Sequence, residues 1–153
     1  MAQSRIQTSF KEIVRDQEVL FHLAAAFRRV NLPKSVYWDT NVTAMRTLLE
    51  TAQAAGGRKV VYCSTQGVHG NVDNPPGDES TPIEPEDYYQ YTKYEGEKVA
   101  QEFIDQGMDI TTLRPMAIYG PGDPARFLML FKQVAKGYFP ISAGSNETRS
   151  APL

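Results

Sequence analysis

KVVYCSTQGVHG, residues 59–70, decides how this chain is read. Its first half, Lys59 to Cys63, is an almost unbroken apolar run of β-branched and aromatic residues. A run that short and that continuous reads as a strand covered on both faces, as in the middle of a parallel sheet. Its second half turns abruptly to hydroxyls and glycines: Ser64, Thr65, Gly67 and Gly70. In an open α/β sheet, ligands bind beyond the carboxyl ends of the strands, so a buried strand that ends in hydroxyls points at a site.

Two further short runs lie on either side, EVLFHLAA (18–25) and DITTLRP (109–115). The first is again nearly continuous and predicts a strand of the same buried kind. Helical patterns separate them. From Ser35 to Ala55, Val42, Met45, Leu48, Leu49 and Ala52 recur at steps of three and four, and AAGG supplies glycine for the stop. From Tyr88 to Gln106 the apolar face holds Val99, Ala100, Phe103 and Ile104, closed by Gly107. A third helix is expected from Ala125 to Lys136, and the first seventeen residues suggest helix around Ile6, Phe10 and Val14. Alternating strands and helices predict right-handed crossovers and a parallel sheet, hence an α/β fold.

The stretch GNVDNPPGDESTPIEPED (70–87) has four prolines and six acidic residues and predicts a loop. It reads equally as a solvated connection or as a wall of the ligand crevice.

Composition narrows the function classes. The 153 residues suffice for one domain with a core, and 41% apolar with 22% charged residues is ordinary globular make-up. A net charge of −2 gives no basic field for nucleic acid or an anionic membrane. A single cysteine, Cys63, excludes an internal disulfide and offers no zinc cluster. The polar start and the absence of a long apolar run predict a soluble, cytoplasmic chain without a signal peptide or membrane span.

YYQYTKYEGE (88–97) places Tyr89 and Lys93 four residues apart, on one face of the expected helix. A phenol is a poor base at neutral pH, but a nearby ammonium favours the phenolate. Such a tyrosine can take a proton from a substrate alcohol as hydride leaves for a cofactor. In a chain with eight tyrosines the pair alone carries little weight.

In context it resembles a known family. FHLAA (21–25), NVTAMRTLLETA (41–52), VYCSTQGVHG (61–70), YYQYTKYEGE and LRPMAIYGPGD (113–123) are similar, in order and spacing, to the extended short-chain dehydrogenase/reductases of the NAD-dependent epimerase/dehydratase family. The resemblance implies a partial Rossmann-like, doubly wound parallel sheet: its second half, about three strands with flanking helices. It implies Tyr89 as the base, Lys93 as the ribose-holding residue that lowers the phenol's pKa, and Thr65 as the hydroxyl that orients substrate, with Ser64 the competing choice. It also implies NAD or NADP as cofactor, approached by the backbone of Ala24 and Ala25, by Ser64, Tyr89 and Lys93, and by the segment that begins at Arg114 and Pro115. The substrate would be a sugar, such as a nucleotide-sugar, or another secondary alcohol or ketone, with no metal.

The departures sharpen the reading. Sugar dehydratases usually carry Asp-Glu directly after the catalytic Thr, where this chain has Gln66 and Gly67, so dehydration is disfavoured, and sugar-acid decarboxylation with it. Ala117 stands where nucleotide-sugar enzymes often have Asn, and the stretch around it also resembles the 3β-hydroxysteroid dehydrogenase and dihydroflavonol reductase branches. His69 occupies a place often held by Tyr and is expected to pack or hold a loop. His22 and Cys63 are expected in the core, and Arg149 in solvent.

No glycine-rich G-x-G-x-x-G turn occurs. Residues 1–153 are therefore expected to form the catalytic half of a dinucleotide-binding domain, without its glycine-rich N-terminal half and its C-terminal substrate lobe. The strand at 18–25 would then have an unpaired edge, which invites association, with a homodimer as one outcome. A non-catalytic fragment and a dinucleotide sensor remain alternatives.

Overall fold

The structure, a computed structural model, describes residues 10–27, 32–57, 59–73, 75–122, 126–143 and 147–152. It divides into two compact units, Met1–Met116 and Ala117–Leu153.

The first unit is built on three parallel strands: β1 (Val19–His22), β2 (Lys59–Cys63) and β3 (Asp109–Leu113), in the order β1-β2-β3. Leu20 pairs with Val60 and Val60 with Ile110, so side chains of one parity line up across the sheet. Two helices of the crossovers cover that face: α2 (Ala44–Ala54) and α3 (Tyr88–Ile104). Met45 and Leu49 from α2, Val99, Ala100 and Phe103 from α3, and Val60 and Tyr62 from β2 interlock in one cluster, with Leu20 and Ile110 at its rim. Each fully buried Val, Leu, Met or Phe among them stabilises the fold by about 1.5–3 kcal/mol. Residues 10–14 are helical, and Val14 packs with Leu48 and Ala52. The expectation of helix around Ile6 lies outside the described residues.

The helix expected from Ser35 to Ala55 is continuous but not uniform. It comprises α1 (Lys34–Trp38), a π-helical turn (Asp39–Thr43) and α2. The π turn buries Asn41 and Val42. The start of α3 is set by a capping box. The Asp87 carboxylate accepts from Gln90 N at 2.8 Å, and Gln90 Oε1 accepts from Asp87 N at 3.2 Å. Gly107, at φ 94°, ends the turn that follows α3. Residues 75–87 form no strand or helix, as their prolines require.

One expectation fails. β2 is buried throughout its middle, but β1 is covered on one face only: Phe21 is 65% exposed and Val19 39%. Leu113 of β3 is also exposed on that side. Both of the sheet's helices, α2 and α3, lie on the Tyr62 face, so the apolar content of β1 exceeds what the first unit covers.

The second unit holds α4 (Arg126–Ala135) and an antiparallel hairpin of β4 (Tyr138–Ala143) and β5 (Glu147–Pro152). Tyr119, Phe127 and Phe131 form an aromatic cluster, with ring centres 5.1–6.2 Å apart. The hairpin was not expected from sequence. Pro140 and Pro152 sit within its strands, and proline weakens any strand reading. Arg149 lies on β5 opposite Ile141.

Candidate active site

Three segments converge at the carboxyl ends of the strands. The first is the turn after β2. Ser64 N donates to Leu113 O at 2.7 Å and Gln66 N to Pro115 O at 3.0 Å, extending the β2–β3 ladder past the strands themselves. Thr65 then caps a 3₁₀ turn (Gln66–His69), its hydroxyl accepting from Gly67 N at 3.2 Å. That turn lies against the first turn of α3, where Gly67 is so close to Gln90 that a Cβ there would come within 2.9 Å of the Gln90 amide. Ser64 is buried, and its hydroxyl has no hydrogen-bond partner among the described residues.

The second segment is the loop after β1. Ala24 is exposed and Ala25 half-buried, leaving their backbone open to approach. Phe27 meets the Tyr89 ring edge-on, with centres 5.0 Å apart. Asn41 ties this loop down. Its Oδ1 accepts from Ala26 N at 2.8 Å, and its Nδ2 donates to Ala26 O at 3.2 Å and to Thr92 Oγ1 at 2.9 Å. The Thr92 hydroxyl donates onward to Tyr89 O at 2.9 Å.

The third segment is α3 itself. Tyr89 is half-buried, whereas Lys93, one turn on, is 1% exposed. Burial lowers the Lys93 pKa from 10.5 to about 8, against the opposing influence of Cys63 and Glu97. The Lys93 ammonium lies over the Tyr62 ring, 4.3 Å from its centre. His22 stacks on Tyr62 at 5.7 Å. Burial, then the charge of Lys93, push the His22 pKa down to about 4, so this ring is neutral in the fold.

Arg114 is engaged within the protein. Its guanidinium reaches Glu97 through Nε at 3.1 Å and Nη2 at 2.7 Å, and Nη1 donates to His69 Nε2 at 3.0 Å. With Nε2 accepting, His69 Nδ1 carries the proton and donates to Thr81 O at 2.9 Å. His69 thus fastens the 70–87 loop to the strand ends. That loop walls a cavity of ≈ 680 Å³ lined by Gln66, His69, Asp78, Thr81, Arg114 and Met116 among others.

Sequence reasoning did not single out Asn41, Tyr62, Gln90 or Glu97. D-x-x-Q at 87–90 is a legible capping box; the other three act through contacts that no local pattern announces.

Residues 2–147 match the NAD dependent epimerase/dehydratase family. An undecaprenol-linked N-acetylglucosamine 4-epimerase of Escherichia coli O157:H7 is 32% identical over 148 residues, 87% of this chain and 44% of that protein. A 3 beta-hydroxysteroid dehydrogenase/Delta 5→4-isomerase of Mycobacterium tuberculosis is 35% identical over 114 residues, 71% of this chain and 30% of the other. Among solved structures, a dTDP-glucose 4,6-dehydratase of Streptomyces venezuelae, crystallised with NAD, superposes with a TM-score of 0.74 at 29% identity, covering 88% of this chain and 44% of that one. A UDP-glucuronic acid 4-epimerase of Bacillus cereus, also with NAD, gives 0.73 at 25%, covering 84% and 42%. The chain therefore spans less than half the length of these relatives. No helix among the described residues is long and apolar enough to cross a membrane. The converging strand ends, the Tyr89–Lys93 helix and this match over nearly the whole length together show that the chain belongs to the NAD dependent epimerase/dehydratase family.

Proposed function

We propose that residues 1–153 form the catalytic half of an NAD(P)-dependent epimerase or dehydrogenase acting on a secondary alcohol, a nucleotide-sugar or lipid-linked sugar being the favoured class. Tyr89 removes the carbinol proton, Thr65 hydrogen-bonds that oxygen, and Lys93 supports the phenolate and the nicotinamide ribose. The bound dinucleotide supplies the hydride acceptor.

The observation that carries this reading is the burial of Lys93 one turn from Tyr89, beside a strand end with two hydroxyls, one of them unpartnered. An ammonium is costly to bury, and a lysine whose pKa burial lowers, set beside a strand end, marks a candidate working site. The residues fit a dinucleotide. Ala24 and Ala25 leave backbone open, Ser64 has an orphaned hydroxyl, and Lys93 offers a cation. Arg114 and Pro115 contribute indirectly: Pro115 O accepts from Gln66 N at the β2–β3 end, and Arg114 ties that end to Glu97 of α3.

Epimerisation or dehydrogenation is favoured over dehydration by the space at Gly67. Dehydratases need a second carboxylate after the threonine, and a side chain at Gly67 would run into Gln90, which clamps the start of α3. A hydroxysteroid-type substrate is the second reading. It is supported by Ala117 and by the relative from Mycobacterium tuberculosis.

The test is a chimera in which this chain replaces the matching segment of the Escherichia coli O157:H7 relative, assayed with NAD and the N-acetylglucosaminyl-diphospho-undecaprenol of that relative by NMR at the sugar C4. Tyr89→Phe should keep NAD affinity within about two-fold and lose turnover by about a hundred-fold or more. Full turnover in Tyr89→Phe would remove the tyrosine from its role.

A further inference from the structure

Lys93 cannot set its own position. A lysine has four rotatable side-chain bonds and carries a compact charge with no preferred direction. Yet its ammonium is found in the protein interior, and the group that meets it belongs to the neighbouring strand, not to α3. Tyr62 is fully buried, and its ring centre lies 4.3 Å from Lys93 Nζ, well within the range where a ring face attracts a cation. The same tyrosine holds the other end of the same residue, since its hydroxyl donates to Lys93 O at 3.2 Å. One side chain of β2 therefore fixes both the backbone from which Lys93 departs and the place where its charge rests.

Two neighbours fix the tyrosine in turn. His22, its register partner on β1, stacks on it with ring planes 16° apart, and being neutral adds no competing charge. On the helix side, Gly96 leaves the gap that the hydroxyl fills. A Cβ at Gly96 would overlap Tyr62 Oη and approach Asn41 O to 2.9 Å. The other ionisable groups that act with Lys93 are Cys63 and Glu97, both of which favour its charged form, and His22, which the Lys93 charge helps to keep neutral.

We propose that Tyr62 is a positioning residue for Lys93: its ring face seats the ammonium and its hydroxyl pins the helical turn, so that β2 sets where the lysine's charge stands in the site. The proposal rests on the reading that Lys93 is the functional lysine, but its test needs neither cofactor nor turnover.

The experiment is an NMR pH titration of the chain labelled at the lysine ε-carbons, with Lys93 assigned by Lys93→Arg. In the wild type the Lys93 ε-protons should be shifted upfield by the Tyr62 ring relative to the exposed lysines, and should titrate at lower pH than these. Tyr62→Phe keeps the ring and should preserve both signatures. Tyr62→Leu removes the ring. It should abolish the upfield shift. An unshifted Lys93 signal in the wild type overturns the proposal by itself, even if Tyr62→Leu does not fold. An upfield Lys93 signal that persists in Tyr62→Leu also overturns it, as does loss of the ring shift in Tyr62→Phe. If instead Tyr89→Phe retains turnover while these signatures persist, the base assignment fails and the seat for Lys93 stands.

Discussion

Asn41 pairs with Ala26 as a second strand would, accepting from its N–H at 2.8 Å and donating to its carbonyl at 3.2 Å. The same amide donates to Thr92 at 2.9 Å, so one buried side chain couples the loop after β1 to the helix that bears Tyr89 and Lys93. The π turn at Asp39–Thr43 shifts the helical register at this point, consistent with the habit of such turns to occur at functional sites.

Asn41→Leu should therefore act on both segments. Losing these hydrogen bonds and leaving Ala26 unpaired should destabilise the chain by about 2–3 kcal/mol. Hydrogen exchange should speed at the Ala26 amide well beyond the global change. Uniform acceleration across the chain, with no excess at Ala26, would contradict the coupling.

Glu97 and Arg114 form a forked pair with the carboxylate buried and the guanidinium half-exposed. Glu97→Gln should cost about 2 kcal/mol, between the values for surface and fully buried pairs. The 70–87 loop, which reaches Arg114 through His69, should become more sensitive to proteolysis. An unchanged urea midpoint would show that the pair contributes nothing.

Stability should fall with acid through His22. Its pKa is 6.5 ordinarily and about 4 in the fold. Between those values the unfolded chain binds the extra proton, so stability drops as pH falls from 6.5 toward 4 and is intact above 6.5. The full span amounts to about 3 kcal/mol. His22→Phe keeps a ring against Tyr62 and should flatten this part of the unfolding-versus-pH curve. An equal slope in both proteins would assign the loss to carboxylates instead.

The bare face of β1 should drive self-association. Val19 and Phe21 expose apolar surface beside a strand edge that is unpaired among the described residues. Sedimentation should show concentration-dependent dimers or larger species, reduced in Phe21→Lys. A wild type that is monomeric at high concentration would refute this.

Much of the fold was written in local pattern. The three strands begin within a residue of their apolar runs, because β-branched continuity is a short-range property, and Gly107 marks a stop that any reader of the chain can see. The order of the motifs named Tyr89, Lys93, Ser64 and Thr65 as candidates, and their roles are what the Tyr89→Phe and Lys93 experiments test. The hairpin escaped because its strands contain prolines, which argue against strand until the pairing itself is seen.

What the sequence determined alone was which chemistry-bearing residues stand near one another along the chain: a tyrosine and a lysine four apart, two hydroxyls at a strand end, no glycine-rich turn. What only the tertiary structure decided was their environment. It set Lys93 over Tyr62, paired Arg114 with Glu97 and His69, and left one face of β1 open. The physical reason is range. Propensity, periodicity and capping act within a few residues, whereas burial and the pairing of charges depend on segments that lie dozens of residues apart and meet only once the sheet has formed.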